Sequence, residues 1–183
     1  VGGVISDNTI TQSRVRDTTA AAIEMLAFKN TIVEFNYING VKTVGSVDGM
    51  GIFSDGGCDG VITRYNTIEN LVGTDRSNSG AGIAAFYARN CQFYSNVVNN
   101  CKNGYWGGGT AGTGNLVFQN TFSRCTNGFY TESNTAIGNV TVNASGYAGN
   151  LSPADVNLQL VADKFNAYVA AAGGIIGTQV GST

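Results

Sequence analysis

Apolar residues along this chain fall in short alternating runs broken by Asn, Asp and Gly, and no 3.6-residue rhythm persists. The stretch NCQFYSNVVNNC from Asn90 is representative, and its phrase recurs as NTIVEFNYINGV from Asn30, DGVITRYNTIENL from Asp59 and GNLVFQNTFSRC from Gly114. Each phrase reads as two short half-buried strands hinged at an Asn.

The hinge Asn residues keep step along the chain. Asn8, Asn36, Asn66, Asn96, Asn120 and Asn139 are separated by 28, 30, 30, 24 and 19 residues. Two positions after each comes an apolar column: Ile10, Ile38, Ile68, Val98 and Phe122, slipping to Thr141/Val142 at the end. Five positions after each comes a small or apolar one: Ser13, Val41, Leu71, Cys101, Cys125 and Ala144. A second Asx column is expected at Asn30, Asp59, Asn90, Asn115 and Asn134. A third marker, a small residue before an apolar one, recurs as Ala22-Ile23, Gly51-Ile52, Gly82-Ile83, Gly104-Tyr105, Gly128-Phe129 and Gly146-Tyr147. Columns that keep step through six repeats predict a parallel β-solenoid. Each rung would be three short strands, with equivalent residues stacked at the strand spacing of about 4.8 Å. Asn suits the turns because it tolerates the left-handed region and its amide can bond the rungs on either side. The Leu/Asn consensus of a leucine-rich horseshoe is absent.

The Asn-x-Ile/Val phrases, the Asn ladder and rungs of 19–30 residues resemble the right-handed parallel β-helix superfamily of pectate-lyase-like proteins and phage tailspikes, over roughly residues 4–148. The resemblance implies an all-β, right-handed, single-stranded parallel β-helix of about six rungs. It implies little about activity, since that superfamily holds lyases, hydrolases and epimerases beside adhesion and virion proteins. The lyases' Ca²⁺-binding Asp cluster and catalytic Arg find no clear match in this sequence.

The period breaks after residue 148. Residues 149–183 are expected to form a C-terminal cap, a strand over 156–161 and a helix over 163–172 with Asp163 as its N-cap and Gly173-Gly174 as its stop. Val1-Gly2-Gly3-Val4 enters the repeat with no capping element, so a fragment of a longer protein, or an end covered by a partner subunit, is expected. Val1 in place of an initiator Met fits a processed or trimmed chain.

Composition narrows the classes. The 183 residues include 26 Gly and 1 Pro, 43% are hydrophobic and 12% charged, and the net charge is −2. That is a turn-rich β composition without the basic stripe a nucleic-acid surface needs. No apolar run reaches the roughly 20 residues of a membrane span. Of the four cysteines, Cys101 and Cys125 share an inward column on adjacent rungs, where free buried thiols are expected rather than a disulfide. Cys58 precedes its Asx and Cys91 follows its own, so the two are expected to face opposite ways. With no His and no CxxC, a zinc site and the usual imidazole triads are not expected.

Carboxylates remain as candidate chemistry. Asp17, Asp48 and Asp75 occupy loops before the third marker on successive rungs, with Arg14, Arg16, Lys42 and Arg76 nearby and Glu24 on the adjoining strand. Asp48 and Asp75 are the pair to carry glycoside hydrolysis as acid and base or nucleophile; Ca²⁺ is the one cofactor such loops could hold. Solvated turn residues are the simpler reading. One position after the third marker's apolar member come Glu24, Phe53, Ala84, Trp106 and Tyr130. Trp106 and Tyr130, with Glu132 and Arg76, form a candidate glycan-binding face. A subunit interface, or a register slip that turns Tyr105 and Phe129 outward instead, are the alternatives.

Two functions are therefore carried forward. One is a structural or binding β-helix module displayed on a virion or cell surface, of spike, fibre or decoration type, possible glycan contact included, homo-oligomeric (a trimer among the options) or part of a larger assembly, with no nucleic-acid partner and no membrane insertion. The other is a polysaccharide-processing hydrolase, lyase or epimerase. An ice-binding solenoid would need a regular Thr array, which the column Thr11, Asn39, Glu69, Asn99, Ser123, Asn143 does not supply. Asn143-Ala-Ser and Asn150-Leu-Ser are sequons, relevant only on a eukaryotic secretory route.

Overall fold

The structure, a computed structural model, describes residues 2–11, 14–16, 21–44, 48–74, 78–109, 114–131, 135–137, 140–142 and 147–149. The chain winds as a parallel β-helix. Its first rung holds β1 (Val4–Ser6), β2 (Thr9–Thr11), β3 (Arg14–Arg16) and β4 (Ala21–Leu26), and its second β5 (Ile32–Glu34), β6 (Tyr37–Asn39), β7 (Lys42–Val44) and β8 (Met50–Asp55). The third holds β9 (Ile62–Arg64), β10 (Thr67–Leu71) and β11 (Ala81–Phe86), and the fourth β12 (Gln92–Tyr94), β13 (Val97–Cys101) and β14 (Asn103–Gly108). The fifth holds β15 (Leu116–Phe118), β16 (Thr121–Ser123) and β17 (Asn127–Thr131), and the sixth β18 (Thr135–Ile137), β19 (Val140–Val142) and β20 (Tyr147–Gly149).

The strands stack into three six-stranded parallel sheets, β1-β5-β9-β12-β15-β18, β2-β6-β10-β13-β16-β19 and β4-β8-β11-β14-β17-β20. The first two rungs carry a fourth strand beyond the expected three, because β3 pairs with β7 in a small sheet of its own. Each strand reaches its neighbour in the same sheet through the other two sheets, a crossover that is right-handed in about 98% of cases. All of these strands belong to a unit Val1–Asn150; of the segment 149–183 expected to form a cap, Gly149 ends β20 and the rest lies outside the described residues.

Register follows the hydrophobic columns. The second sheet stacks Ile10, Ile38, Ile68, Val98, Phe122 and Thr141 in one line. The third stacks Ile23, Ile52, Ile83, Tyr105, Phe129 and Tyr147. Ile38, Ile68, Val98 and Phe122 of the first line and Ile23, Ile52, Ile83, Tyr105 and Phe129 of the other, with Val33, Phe93 and Val117 of the first sheet, form one continuous core. The small half of the third marker has a steric cause. A Cβ on Gly104 would stand 2.4 Å from the Gly128 carbonyl oxygen and 2.6 Å from the Phe122 ring, and one on Gly51 2.5 Å from the Gly82 oxygen. At this corner the third sheet runs against the second sheet's apolar column, and a side chain has no space.

Along the main ladder each Oδ1 accepts from both the backbone N–H and the side-chain Nδ2 of the preceding rung. The bonds run Asn8 to Asn36 (3.1 and 2.9 Å), Asn36 to Asn66 (3.0 and 2.9 Å), Asn66 to Asn96 (3.0 and 2.9 Å) and Asn96 to Asn120 (3.0 and 2.9 Å). Asn36, Asn66, Asn96 and Asn120 are buried. Asn139 lies outside the described residues. The ladder is a buried polar network whose members satisfy one another, which is the condition under which burying amides stabilises a fold.

Two expectations are corrected. The second Asx column is not one column. Asp59 stacks on Lys29 and Arg89, whereas the backbone N–H of Cys91 donates to Asn115 Oδ1 at 2.9 Å, which sets Asn115 beside Cys91. The drifting gaps of that column reflect this one-residue mismatch. Cys58 and Cys91 do not face opposite ways, since both belong to the core. Left-handed residues at the intervening turn, Asn90 (φ 52°) and Gly60 (φ 68°), break the alternation on which the expectation rested. All four cysteines are free and buried.

Candidate functional site

The turn before the Asn ladder is made by residues that one would not choose for it. Asp7, Phe35, Tyr65, Ser95 and Gln119 each precede a ladder Asn and each sits in the left-handed region, at φ of 58°, 56°, 54°, 53° and 52°. For a residue with a Cβ this conformation costs about 1–2 kcal/mol, and Gly or Asn escape most of it. Elsewhere the fold mostly uses them: Gly40, Asn70 and Asn100 hold one corner at φ of 80°, 60° and 53°, and Asn30, Gly60 and Asn90 another, although Ala27, Tyr87 and Arg124 are left-handed too, at φ of 58°, 52° and 52°. Phe35 and Tyr65 are 55% and 46% exposed, so burial does not offset the strain.

These two rings begin an aromatic run that climbs the solenoid. Phe35 stacks on Tyr65 (centroids 5.4 Å, 13°), Tyr65 meets Tyr94 edge-on (6.0 Å, 81°), and Tyr94 stacks on Phe118 (4.8 Å, 17°). Phe118 is buried and Tyr94 half-buried. Arg64 threads the run. Its Nε donates to Glu34 Oε2 at 2.7 Å, its Nη1 donates to the Tyr94 hydroxyl at 3.0 Å, and its Cζ lies 5.5 Å from the Tyr65 ring centroid. The Tyr94 hydrogen bond and then the Glu34 carboxylate hold Arg64 in its charged form above even its ordinary range.

Register explains the convergence. Ser6, Glu34, Arg64, Tyr94 and Phe118 form one outward column of the first sheet, and Val4, Ile32, Ile62, Gln92 and Leu116 form the other. The outward side of the second sheet is different in kind. There Tyr37 and Asn39 bond Glu69, and Asn100 donates to Asn70, which donates to Asn39. That face is polar and closed on itself, whereas the first sheet's is aliphatic and aromatic around one ion pair.

The residues expected to form a site are placed as follows. Trp106 and Tyr130 do stack as neighbours, in the column Glu24, Phe53, Ala84, Trp106, Tyr130, Ala148. Tyr105 and Phe129 point into the core, so the off-by-one alternative does not apply. Trp106 is nevertheless only 7% exposed. It packs in a second apolar cluster with Met50, Phe53, Ala81 and Ala84, its ring over Gly108 and against Phe86 (5.9 Å). Its Nε1 is buried without an acceptor among the described residues. Asp48 is buried at 2% exposure, its carbonyl accepting the Gly80 N–H at 2.7 Å. Asp75, Arg76 and Glu132 lie outside the described residues, so no juxtaposition with Asp48 or Tyr130 is described. Among the described residues no three His, Cys, Asp or Glu side chains gather. Glu24 has its carboxyl pushed up, first by partial burial and then by Asp55 on the neighbouring strand.

The aromatic run escaped sequence reasoning because strand alternation assigns no special role to the residue before a turn Asn. The available signal was a Phe and a Tyr in the column that elsewhere holds Asp7, Ser95 and Gln119. Comparison of the chain with protein-family models, with curated proteins and with solved structures finds no match.

Proposed function

We propose that this chain is a surface-displayed β-helix module of a virion or cell surface, a spike, fibre or decoration segment, that contacts glycan without processing it. The observation that carries the reading is the exposed Phe35–Tyr65 stack in left-handed backbone. A bulky residue retained where Gly or Asn would be more stable, and not buried, points to a contact outside the chain. Aromatic rings beside a fixed guanidinium and a phenol suit sugars, which offer apolar C–H faces and hydroxyls together. The resemblance of the ladder phrases to pectate-lyase-like proteins and phage tailspikes supports the same setting, an extracellular one, and an oligomeric or larger assembly.

The test is binding of the purified chain to an array of immobilised polysaccharides. Wild type should bind a subset, and Phe35→Ala/Tyr65→Ala should lose at least about tenfold in affinity, the equivalent of about 1.4 kcal/mol. No binding to any glycan, with the fold intact by circular dichroism, would sink the reading.

A second reading, a polysaccharide-processing enzyme, has one observation in its favour. Glu24, with its raised carboxyl, and Asp55 lie on neighbouring strands, as a general acid and a second carboxylate would. Turnover of any glycan that falls with Glu24→Gln or Asp55→Asn would promote it; Asp48→Asn belongs in the same series.

A further inference from the structure

The dimensions and charge of the first sheet's outer face say which ligand it takes. Each strand there is three residues long, so the strip is about 10 Å wide, and the four rungs before the buried Phe118, at about 4.8 Å each, make it about 14–19 Å long. Its area is then about 190 Å², far below the roughly 800 Å² per partner that a stable protein–protein interface needs. A folded partner does not fit this account; a narrow linear polymer does.

The polymer's chemistry follows from what the strip offers. Its charged groups, Glu34 and Arg64, neutralise each other at 2.7 Å. A strip without net charge, on a chain of net charge −2, holds no attraction for a polyanion. An extended peptide is a poor occupant as well. The strands beneath are already hydrogen-bonded to both neighbours, so a peptide on this face would leave its own amides unpaired. A sugar chain has no such obligation. Its ring faces meet Phe35 and Tyr65 while its hydroxyls stay in water or turn to the polar groups between.

Arg64 is the polar group in position to choose. Nε and Nη1 are held by Glu34 and Tyr94, so the guanidinium plane is fixed beside the Tyr65 ring. Nη2 carries no further partner among the described residues. We infer that the strip binds a neutral linear glycan lying along the solenoid axis, with Arg64 Nη2 donating to a ring hydroxyl as the specificity-determining contact. This rests on the glycan-binding reading above and adds the ligand's charge, direction and length.

The experiment uses the full chain and isothermal titration. Probes are neutral polymers (xylan, mannan, galactan and β-glucan), acidic ones (alginate, polygalacturonate and hyaluronan), and an oligosaccharide series made from the best binder. Neutral polymers should bind, with affinity changing less than about twofold between roughly 50 and 300 mM salt. Affinity should climb from the monosaccharide to the disaccharide, which reaches both exposed rings, since Phe35 and Tyr65 stand one rung apart at 5.4 Å. Tyr65→Ala should weaken binding about tenfold and Arg64→Lys, which keeps charge but loses the fork, about threefold or more. Tyr87→Ala, an aromatic equally exposed and left-handed but on another corner and without the Arg64 guanidinium beside it, should change nothing. Preference for acidic polymers with affinity lost in salt, a plateau at the monosaccharide, or equal weakening by Tyr87→Ala would each overturn the inference while leaving glycan binding in place. Failure of every glycan to bind would overturn both.

Discussion

Single residues in this fold are constrained by one of three things: space, hydrogen-bonding capacity or backbone sign. Thr63 shows the second. It is fully buried in the column Val33–Thr63–Phe93–Val117 and its Oγ1 has no partner among the described residues. Replacing a lone buried hydroxyl with a methyl removes an unpaid desolvation, so Thr63→Val should raise unfolding stability by about 1 kcal/mol in guanidinium titration. Gln119 shows the third. It is exposed at φ 52°, with no side-chain bond to lose among the described residues, so Gln119→Asn should gain about 0.5–1 kcal/mol. The same substitution at Tyr65 would relieve the same strain and abolish the proposed binding. Stability and function pull apart at that one column, and the position before the ladder Asn could be read as strained only once its φ was known.

At the level of the element, the unit is a strand–corner–strand segment, and the corners carry the specificity of the register. Asn66 joins three rungs: its Nδ2 donates to Asn96 Oδ1, Arg64 O and Val33 O, and its Oδ1 accepts two bonds from Asn36. Asn66→Ala should cost about 3–5 kcal/mol, because several buried partners lose their bonds at once. Smaller loss, about 1 kcal/mol by chemical denaturation, would mean that water replaces the amide and the ladder is not cooperative. Gly104→Ala drives a Cβ against the Gly128 carbonyl and should cost about 1–3 kcal/mol or prevent folding. The small-then-apolar marker was legible in the sequence as a pattern. Its reason, the second sheet's apolar column standing behind the corner, was not.

For the whole molecule, contacts run between residues one rung apart, so stability is a sum of rungs and their interfaces. Buried thiols are spread over that stack and give it a pH limit. Burial pushes the Cys91 thiol up to about 12 from an unfolded value near 9, and also raises Cys58 and Cys101. A folded pKa above the unfolded one means that the contribution is complete below pH about 9. It is lost as pH rises from there toward about 12, because the unfolded chain ionises first. Unfolding midpoints should therefore be flat up to about pH 9 and fall above it, and Cys91→Ala should flatten part of that fall. Ellman's reagent should find the thiols only after unfolding; rapid reaction of the native chain would contradict their burial.

The sequence by itself determined the period, the inward columns and the ladder. Stacked parallel strands place like residues on like, so spatial order is written directly as sequence order. Three things waited for the tertiary structure. Left-handed turns interrupt strand alternation, which is why Cys58 and Cys91 share one core and why Asp59 and Asn115 belong to different columns. Burial of an outward residue depends on what packs over it, which is why Trp106 is enclosed and Phe35 and Tyr65 are not. Convergence of Glu34, Arg64, Tyr65 and Tyr94 needed the sheet itself, since residues about 30 positions apart become neighbours only when the solenoid closes each turn onto the last.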